Sequence, residues 1–263
     1  MKDVQNQKDT RNIPVQKVGV KDVEIPLRIE KKSDEPSYIT VYSKAKMSVG
    51  LPCEYKGTHM SRFIEILNDY RHETLFVDDI ERVLFEMKKR LDATSSYLKF
   101  DFKYFIEKTA PKSKSKSLMC YDCAFEGSLD ENCNFKFYLI VHVPITTLCP
   151  CSKEISDFGA HNQRAIIKAK VSYVDDKMLW LEDLISMIES CSSCEIYPLL
   201  KREDEKFVTE SAYKNPKFVE DVIRDVVLKL NENEIITSYE IEVEAQESIH
   251  KHNAWAYQKC VKR

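Results

Sequence analysis

Glycine is nearly missing from this chain. Its 263 residues contain five, at positions 19, 50, 57, 127 and 159, where average usage of about 7% corresponds to roughly eighteen. A phosphate-cradling P-loop needs paired glycines ahead of Lys-Ser/Thr, and a dinucleotide fingerprint needs three within a short turn, because bare backbone must approach phosphate. Neither spacing exists here. Charge of one sign is also lacking: 40 Lys plus Arg stand against 43 Asp plus Glu, a net charge of -3. Binding to nucleic acid by charge alone is therefore not expected. No run approaches the ~18 apolar residues of a membrane span, and positions 1–20 lack the apolar core of a secretory signal. The nine cysteines, at 53, 120, 123, 133, 149, 151, 191, 194 and 260, are accordingly expected as thiols in a cytoplasmic protein, with no membrane or nucleic-acid partner. What remains is an ordinary globular composition, 43% hydrophobic and 32% charged, that must build its working surfaces from side chains.

Periodicity supplies the map. Ile39, Val41, Ala45, Met47 and Val49 share one parity, the alternation of a half-buried strand, and a weaker strand signal over 15–29 ends at Pro26. Phe63, Ile64, Leu67 and Tyr70, then Val77, Ile80, Leu84, Met87 and Leu91, recur at helical spacing. Leu98, Phe100, Phe102, Tyr104 and Ile106 alternate on a strand, a basic hairpin tip follows over 112–117, and Met119, Tyr121, Cys123 and Phe125 carry the return. The pattern then restarts. Phe135 to Val143 and Ala165 to Tyr173 alternate as strands, helices fit 181–189 and 216–231 with Pro216 in a first turn, and two strands close the chain. The expectation is α+β: tandem ββααββ modules, 1–130 and 131–263, each an antiparallel four-stranded sheet with helices on one face. Open sheet edges invite pairing, so the sheets are expected to join into a barrel across subunits with the helices outside.

The densest chemical signal is Thr146-Thr147-Leu148-Cys149-Pro150-Cys151-Ser152-Lys153, followed by Gly159-Ala160-His161-Asn162-Gln163-Arg164. Pro150 disfavours helical dihedrals at Cys149, so both thiols are expected on extended or turn backbone, and Lys153 nearby favours thiolate. His250 and His252, two apart on an expected strand, would face one side. The acidic run Glu203-Asp204-Glu205 is placed on the loop before the last helix, and Glu220 falls beside that helix's apolar stripe between Phe218 and Val222. Thiol, imidazole and carboxylate together form a mixed sulfur, nitrogen and oxygen set, typical of an open catalytic metal site rather than a closed structural one. Such a metal activates water at neutral pH, which is hydrolytic chemistry. Two CxxC pairs, Cys120/Cys123 and Cys191/Cys194, have zinc-like spacing, but the first lies on a strand where its members point to opposite faces.

Five separated passages, in order, resemble the prokaryotic type IB GTP cyclohydrolases of the tunnelling-fold superfamily over nearly the whole chain. They are Lys56-Gly57-Thr58-His59-Met60-Ser61-Arg62-Phe63; the 146–153 run with His161-Asn162-Gln163-Arg164; Leu199-Leu200-Lys201-Arg202 through Lys206; Asn215-Pro216-Lys217-Phe218-Val219-Glu220-Asp221; and Glu247-Ser248-Ile249-His250-Lys251-His252-Asn253-Ala254. The resemblance implies hydrolysis of GTP to 7,8-dihydroneopterin triphosphate and formate, the entry step to tetrahydrofolate, by a homotetramer using a divalent metal such as manganese, zinc or iron. It implies Cys149, His161 and Glu205 as metal-centred residues, Cys151 as companion thiol, His250 and His252 as acid and base, and Glu220 as the carboxylate that holds guanine. Arg62, Lys153, Lys201 and Arg202 are the cations expected to meet the triphosphate. Glu203 and Lys251 stand where proline is common in relatives, a departure in loop rigidity rather than in a motif residue. Two other readings compete: a related nitrile reductase, whose Glu-Ser-Lys-Ser-Leu-Lys signature is absent with only a superficial echo at 112–117, and a cysteine-rich zinc adaptor without turnover.

Overall fold

The structure is a computed structural model that describes residues 5, 7–71, 77–174 and 177–262. The start of the polar leader (1–4 and 6) and the Val77 side chain that opens the second helix's apolar stripe lie outside the described residues. In chain order the elements are β1 (Val15–Lys31), β2 (Ser37–Leu51), α1 (Met60–Asp69), α2 (Val77–Arg90), β3 (Ser96–Thr109), β4 (Lys116–Leu129), β5 (Phe135–Leu148), α3 (Pro150–Ile155), β6 (Asn162–Tyr173), α4 (Leu181–Glu189), β7 (Cys194–Glu195), α5 (Arg202–Lys214), α6 (Val219–Glu232), β8 (Ile236–Ala245) and β9 (Ala254–Val261). The fold is α+β, with strands hydrogen-bonded in the order β1-β2-β3-β4-β5-β6-β8-β9 and β7 added to β5. The ββααββ order is plain in β1 to β4 with α1 and α2. It recurs in β5, β6, α4, α6, β8 and β9, interrupted by α3, β7 and α5.

Two compact units are formed, residues 1–103 with 124–138, and residues 104–123 with 139–263. The far half of the β3–β4 hairpin belongs with the second unit. In the first unit Met47, Phe63, Ile66, Ile80, Leu84, Met87, Leu98 and Phe100 are fully buried. In the second, Ile145, Ile167, Val171, Leu184, Ile188, Val222, Val226, Leu230, Ile241 and Val243 are. Each such side chain contributes about 1.5–3 kcal/mol of burial, which is why the period-2 and period-3.6 stripes of the sequence become the inner faces of strands and helices.

Four elements differ from the sequence expectation. β1 runs through Pro26 to Lys31, with Pro26 opposite Tyr42. As the terminal strand it can spare the missing N–H, so proline is tolerated in mid-strand. Pro216 is not in a first turn: α6 is capped by Phe218 and starts at Val219, with the Phe218 amide donating to Asp221 Oδ2 at 3.0 Å. Glu203-Asp204-Glu205 forms the first turn of α5 rather than a loop. That helix buries only Asp204 and Ala212, so it carries almost no apolar periodicity to read. His250 and His252 lie in the β8–β9 connection, not on a strand.

Candidate active site

The second unit concentrates the chemistry at the ends of β5 and β6. Leu148 pairs with Asn162 and Thr147 with Gln163, while Ile145 lies between Ala165 on β6 and Glu195 on β7. Directly opposed residues in antiparallel strands share a face, as do alternate residues along one strand. Thr147, Gln163 and Glu195 therefore project from one side of the sheet, in series with Ile145 and Ala165. The Thr147 hydroxyl there is buried without a hydrogen-bond partner.

Beyond Leu148 the chain turns at Cys149, whose backbone is extended (φ -66, ψ 117), and Pro150 then opens α3. The Cys149 thiol caps this short helix, accepting the Ser152 amide at 3.4 Å. The Cys149 amide donates to the His161 carbonyl at 3.1 Å, and the His161 amide donates to Ser152 Oγ at 3.0 Å. Sequence positions twelve apart are thus closed into one knot carrying a thiol and an imidazole. Cys151, by contrast, is exposed within α3. Lys153 Nζ donates to the Tyr213 carbonyl at 2.6 Å and sits 4.5 Å from that ring's centroid, pinning α3 to the end of α5.

The imidazole is oriented by two residues from other motifs. His161 Nδ1 is 3.0 Å from Gln163 Oε1, the Gln163 amide nitrogen donates to Glu247 Oε1 at 3.3 Å, and Glu247 Oε2 is 4.0 Å from His161 Nδ1. With the amide nitrogen committed to a carboxylate, Gln163 presents oxygen to the ring. Nδ1 must then carry the proton, leaving the Nε2 lone pair for a ligand. Metal-binding histidines are commonly held this way, so Cys149 and His161 suit a divalent cation at two positions. Among the described residues no three His, Cys, Asp or Glu side chains converge to hold a metal, so the expected third ligand, Glu205, is not gathered to them.

A cleft of about 360 Å³ opens beside this knot, lined by Thr146, Asn162, Gln163, Arg164, Glu195 and Tyr197, with Leu200 from just before α5 and Val208 from within it. Glu205 is exposed on α5, three residues before Val208, and is not among the residues that line this cleft. Lys201 and Arg202 are exposed at the start of the same helix. Asp204, two residues after Arg202, is fully buried: Oδ1 accepts the amides of Lys112 and Ser113 at 2.8 and 2.9 Å, and Oδ2 accepts that of Lys201 at 2.9 Å. Burial alone would raise this carboxyl, but the bonds from Ser113, Lys201 and Lys112 outweigh it and hold it well below the usual carboxylate range.

Glu220 is exposed in the first turn of α6. That turn is brought to Cys149 by Lys217, whose amide donates to the Leu148 carbonyl at 3.0 Å. The two histidines of the β8–β9 connection are exposed and stacked, ring centroids 5.0 Å apart and planes at 9°. The connection is tied to β6 by Gln246 N–H donating to the Arg164 carbonyl at 2.9 Å. Arg62 belongs to the first unit, where its Nη1 donates to the Arg90 carbonyl at 2.9 Å. Of the CxxC pairs, Cys120 is exposed and Cys123 buried, on opposite faces of β4 as expected. Sequence reasoning quoted Gln163 and Glu247 without giving them roles, and missed Glu195, Tyr197 and Lys108. The last three carry no local motif: the pairing of β7 with β5 places Glu195, and Lys108 meets it by a side-chain contact from β3.

The chain is thus of the α+β class, with a large antiparallel sheet and a thiol–imidazole knot beside a polar cleft. Among solved structures, the uricase of Arthrobacter globiformis superposes with a TM-score of 0.57 at 5% identity, covering 94% of this chain and 93% of the other. A uricase of Bacillus fastidious gives 0.58 at 8% identity over 94% and 93%. At such identities the likeness is one of fold alone. Sequence is more specific. The family described as type I GTP cyclohydrolase FolE2 matches residues 1–256. The protein named GTP cyclohydrolase FolE2 in Citrifermentans bemidjiense is 50% identical over 97% of this chain and 93% of its own length. Its namesake in Geobacter sulfurreducens is 52% identical over 97% and 96%. The chain belongs to the type I GTP cyclohydrolase FolE2 family.

Proposed function

We propose that this chain hydrolyses GTP to 7,8-dihydroneopterin triphosphate and formate, as the first step of tetrahydrofolate formation. The observation that carries the reading is the pairing of Cys149 with His161, its ring turned by Gln163 and Glu247 so that Nε2 is available, at the rim of a polar cleft. Cys149 and His161 would hold a divalent cation of manganese, zinc or iron, and Glu205, which is not gathered to them in this structure, would have to move to them to serve as third ligand. Such a cation supplies activation of water for attack on the purine imidazole ring. Glu220, on the α6 turn anchored at Leu148, accepts the ring N–H and exocyclic amine of guanine in a bidentate pair. His250 and His252 move protons at the ring and ribose atoms, with Cys151 as companion thiol. Lys201 and Arg202 receive the triphosphate, joined by Arg62 and by Lys153 once it releases the Tyr213 carbonyl. We further propose a cytoplasmic homotetramer in which the outer strands β1 and β9 meet those of other copies, closing the sheets into a barrel with helices outside. Among the described residues no helix is long and apolar enough to cross a membrane.

The test is direct. Purified protein is incubated with GTP and each of the three metals, the product is oxidised, and neopterin fluorescence and formate are read. Both should form with at least one metal. Absence of pterin under all three overturns the assignment.

A further inference from the structure

The second unit contains a buried charge cluster that the proposed reaction does not use. Lys108 Nζ of β3 donates to Glu189 Oε1 at 2.8 Å and to Glu195 Oε2 at 2.9 Å, and it lies 4.8 Å from the Tyr197 ring centroid. Tyr121 Oη donates to Glu189 Oε1 at 2.7 Å. The side chains of Lys108 and Glu189 are 9% and 6% exposed, whereas that of Glu195 is 37% exposed. One ammonium faces two carboxylates, so the cluster carries an excess negative charge, costly where it is enclosed. Burial pushes the Glu189 carboxyl up against the opposing pull of Lys108 and Tyr121, and Glu195 is the member that reaches the cleft.

A carboxylate offers about four acceptor sites. Lys108 takes one on Glu195, and the Tyr197 phenol nearby has its pKa raised chiefly by burial and then by the Glu195 charge. Acceptor capacity is left over and directed at the cleft. What it can receive follows from the chemistry of the nucleotide, and here the argument rests on the GTP reading above. GTP has N–H donors on the guanine edge and O–H donors on the ribose 2′ and 3′ carbons; the ionised triphosphate only accepts. With the guanine edge given to Glu220, a second carboxylate in the cleft can meet only the ribose diol. We propose that Glu195 binds the ribose hydroxyls of the nucleotide, with Lys108 as the residue that positions it.

Equilibrium binding of GTP, 2′-deoxyGTP and ITP to the full-length protein tests this. Wild type should hold GTP at least about tenfold more tightly than 2′-deoxyGTP, the worth of a hydrogen bond to a charged group. Glu195→Gln should bring the two within about twofold by weakening GTP alone, with Glu195→Asp intermediate. Lys108→Arg should preserve the discrimination and Lys108→Met should lose it. A purely structural role would weaken both nucleotides equally and leave the ratio unchanged, which overturns the proposal. Loss of GTP-over-ITP discrimination instead would move Glu195 to the base and also overturn it. Because binding is read on the metal-free protein, without turnover, wild type that binds and discriminates but forms no pterin once metal is added would defeat the reaction assignment while the ribose assignment stands.

Discussion

Gln163 Oε1 lies 3.0 Å from His161 Nδ1 while the same side chain's amide nitrogen points to Glu247. One amide thereby fixes both the tautomer and the ring plane of the histidine. Gln163→Leu removes that control without touching a proposed ligand. Outer partners of this kind are worth about 10–100-fold in metal affinity or activity. Titration of the metal-free protein with manganese or zinc should show a loss in that range, and Glu247→Gln a smaller one.

Cys149 has a structural role and a proposed chemical one, and serine separates them. Its thiol caps α3 from 3.4 Å, and a hydroxyl caps a helix at least as well. Cys149→Ser should keep the melting temperature within a degree or two of wild type. Pterin formation should fall by more than the roughly hundredfold ceiling expected of an outer partner. Turnover close to wild type would remove the thiol from the mechanism.

Local signals explain which parts of this picture the sequence discloses. Strands such as β6, with Ala165, Ile167, Ala169 and Val171 on one buried face, announce themselves because burial is periodic. So does α6. α5 is hidden because its start is held by Asp204 rather than by apolar contact, and a buried carboxylate has the same letter as an exposed one. The site divides in the same way. Cys149 and His161 stand in recognisable strings, whereas Lys108 is some eighty residues from Glu189 and Glu195 in sequence and meets them through the tertiary packing of β3, α4 and β7. Pro26 misleads for a related reason: whether a strand is an edge is a property of the sheet, not of the string.

Asp204 should report itself through acid stability. Its folded carboxyl lies below the unfolded value of about 3.9, so its contribution is fully present above that value and is lost as pH falls through the folded one. Asp204→Asn keeps the shape but puts an N–H donor where amides already donate. The melting temperature at neutral pH should drop by several degrees, with little difference from wild type in strong acid. An equal offset at every pH would show that charge is not the cause.

Lys108 and Glu189 form a buried pair, and breaking such a pair from one side costs about 3–5 kcal/mol because the remaining charge has no partner. Lys108→Met should show that loss in urea unfolding. The double variant Lys108→Met with Glu189→Gln should recover a substantial part of it, since both charges then leave the interior together. If the two losses simply add, the coupling between these residues is absent.

The proposed assembly is testable at β9, which among the described residues pairs with β8 alone, at the end of the strand order. Its Trp255 and Tyr257 rings stack 6.0 Å apart at 14°, and they are 58% and 43% exposed. Two adjacent aromatics on the last strand of an open sheet are a costly surface in water unless another chain covers them. A charge there opposes edge-to-edge joining without disturbing the buried face. Light scattering after size exclusion should show a tetramer for wild type and a smaller species for Trp255→Glu. Turnover should fall in parallel if the triphosphate is held by cations of more than one copy. A Trp255→Glu protein that stays tetrameric would place the subunit joint elsewhere.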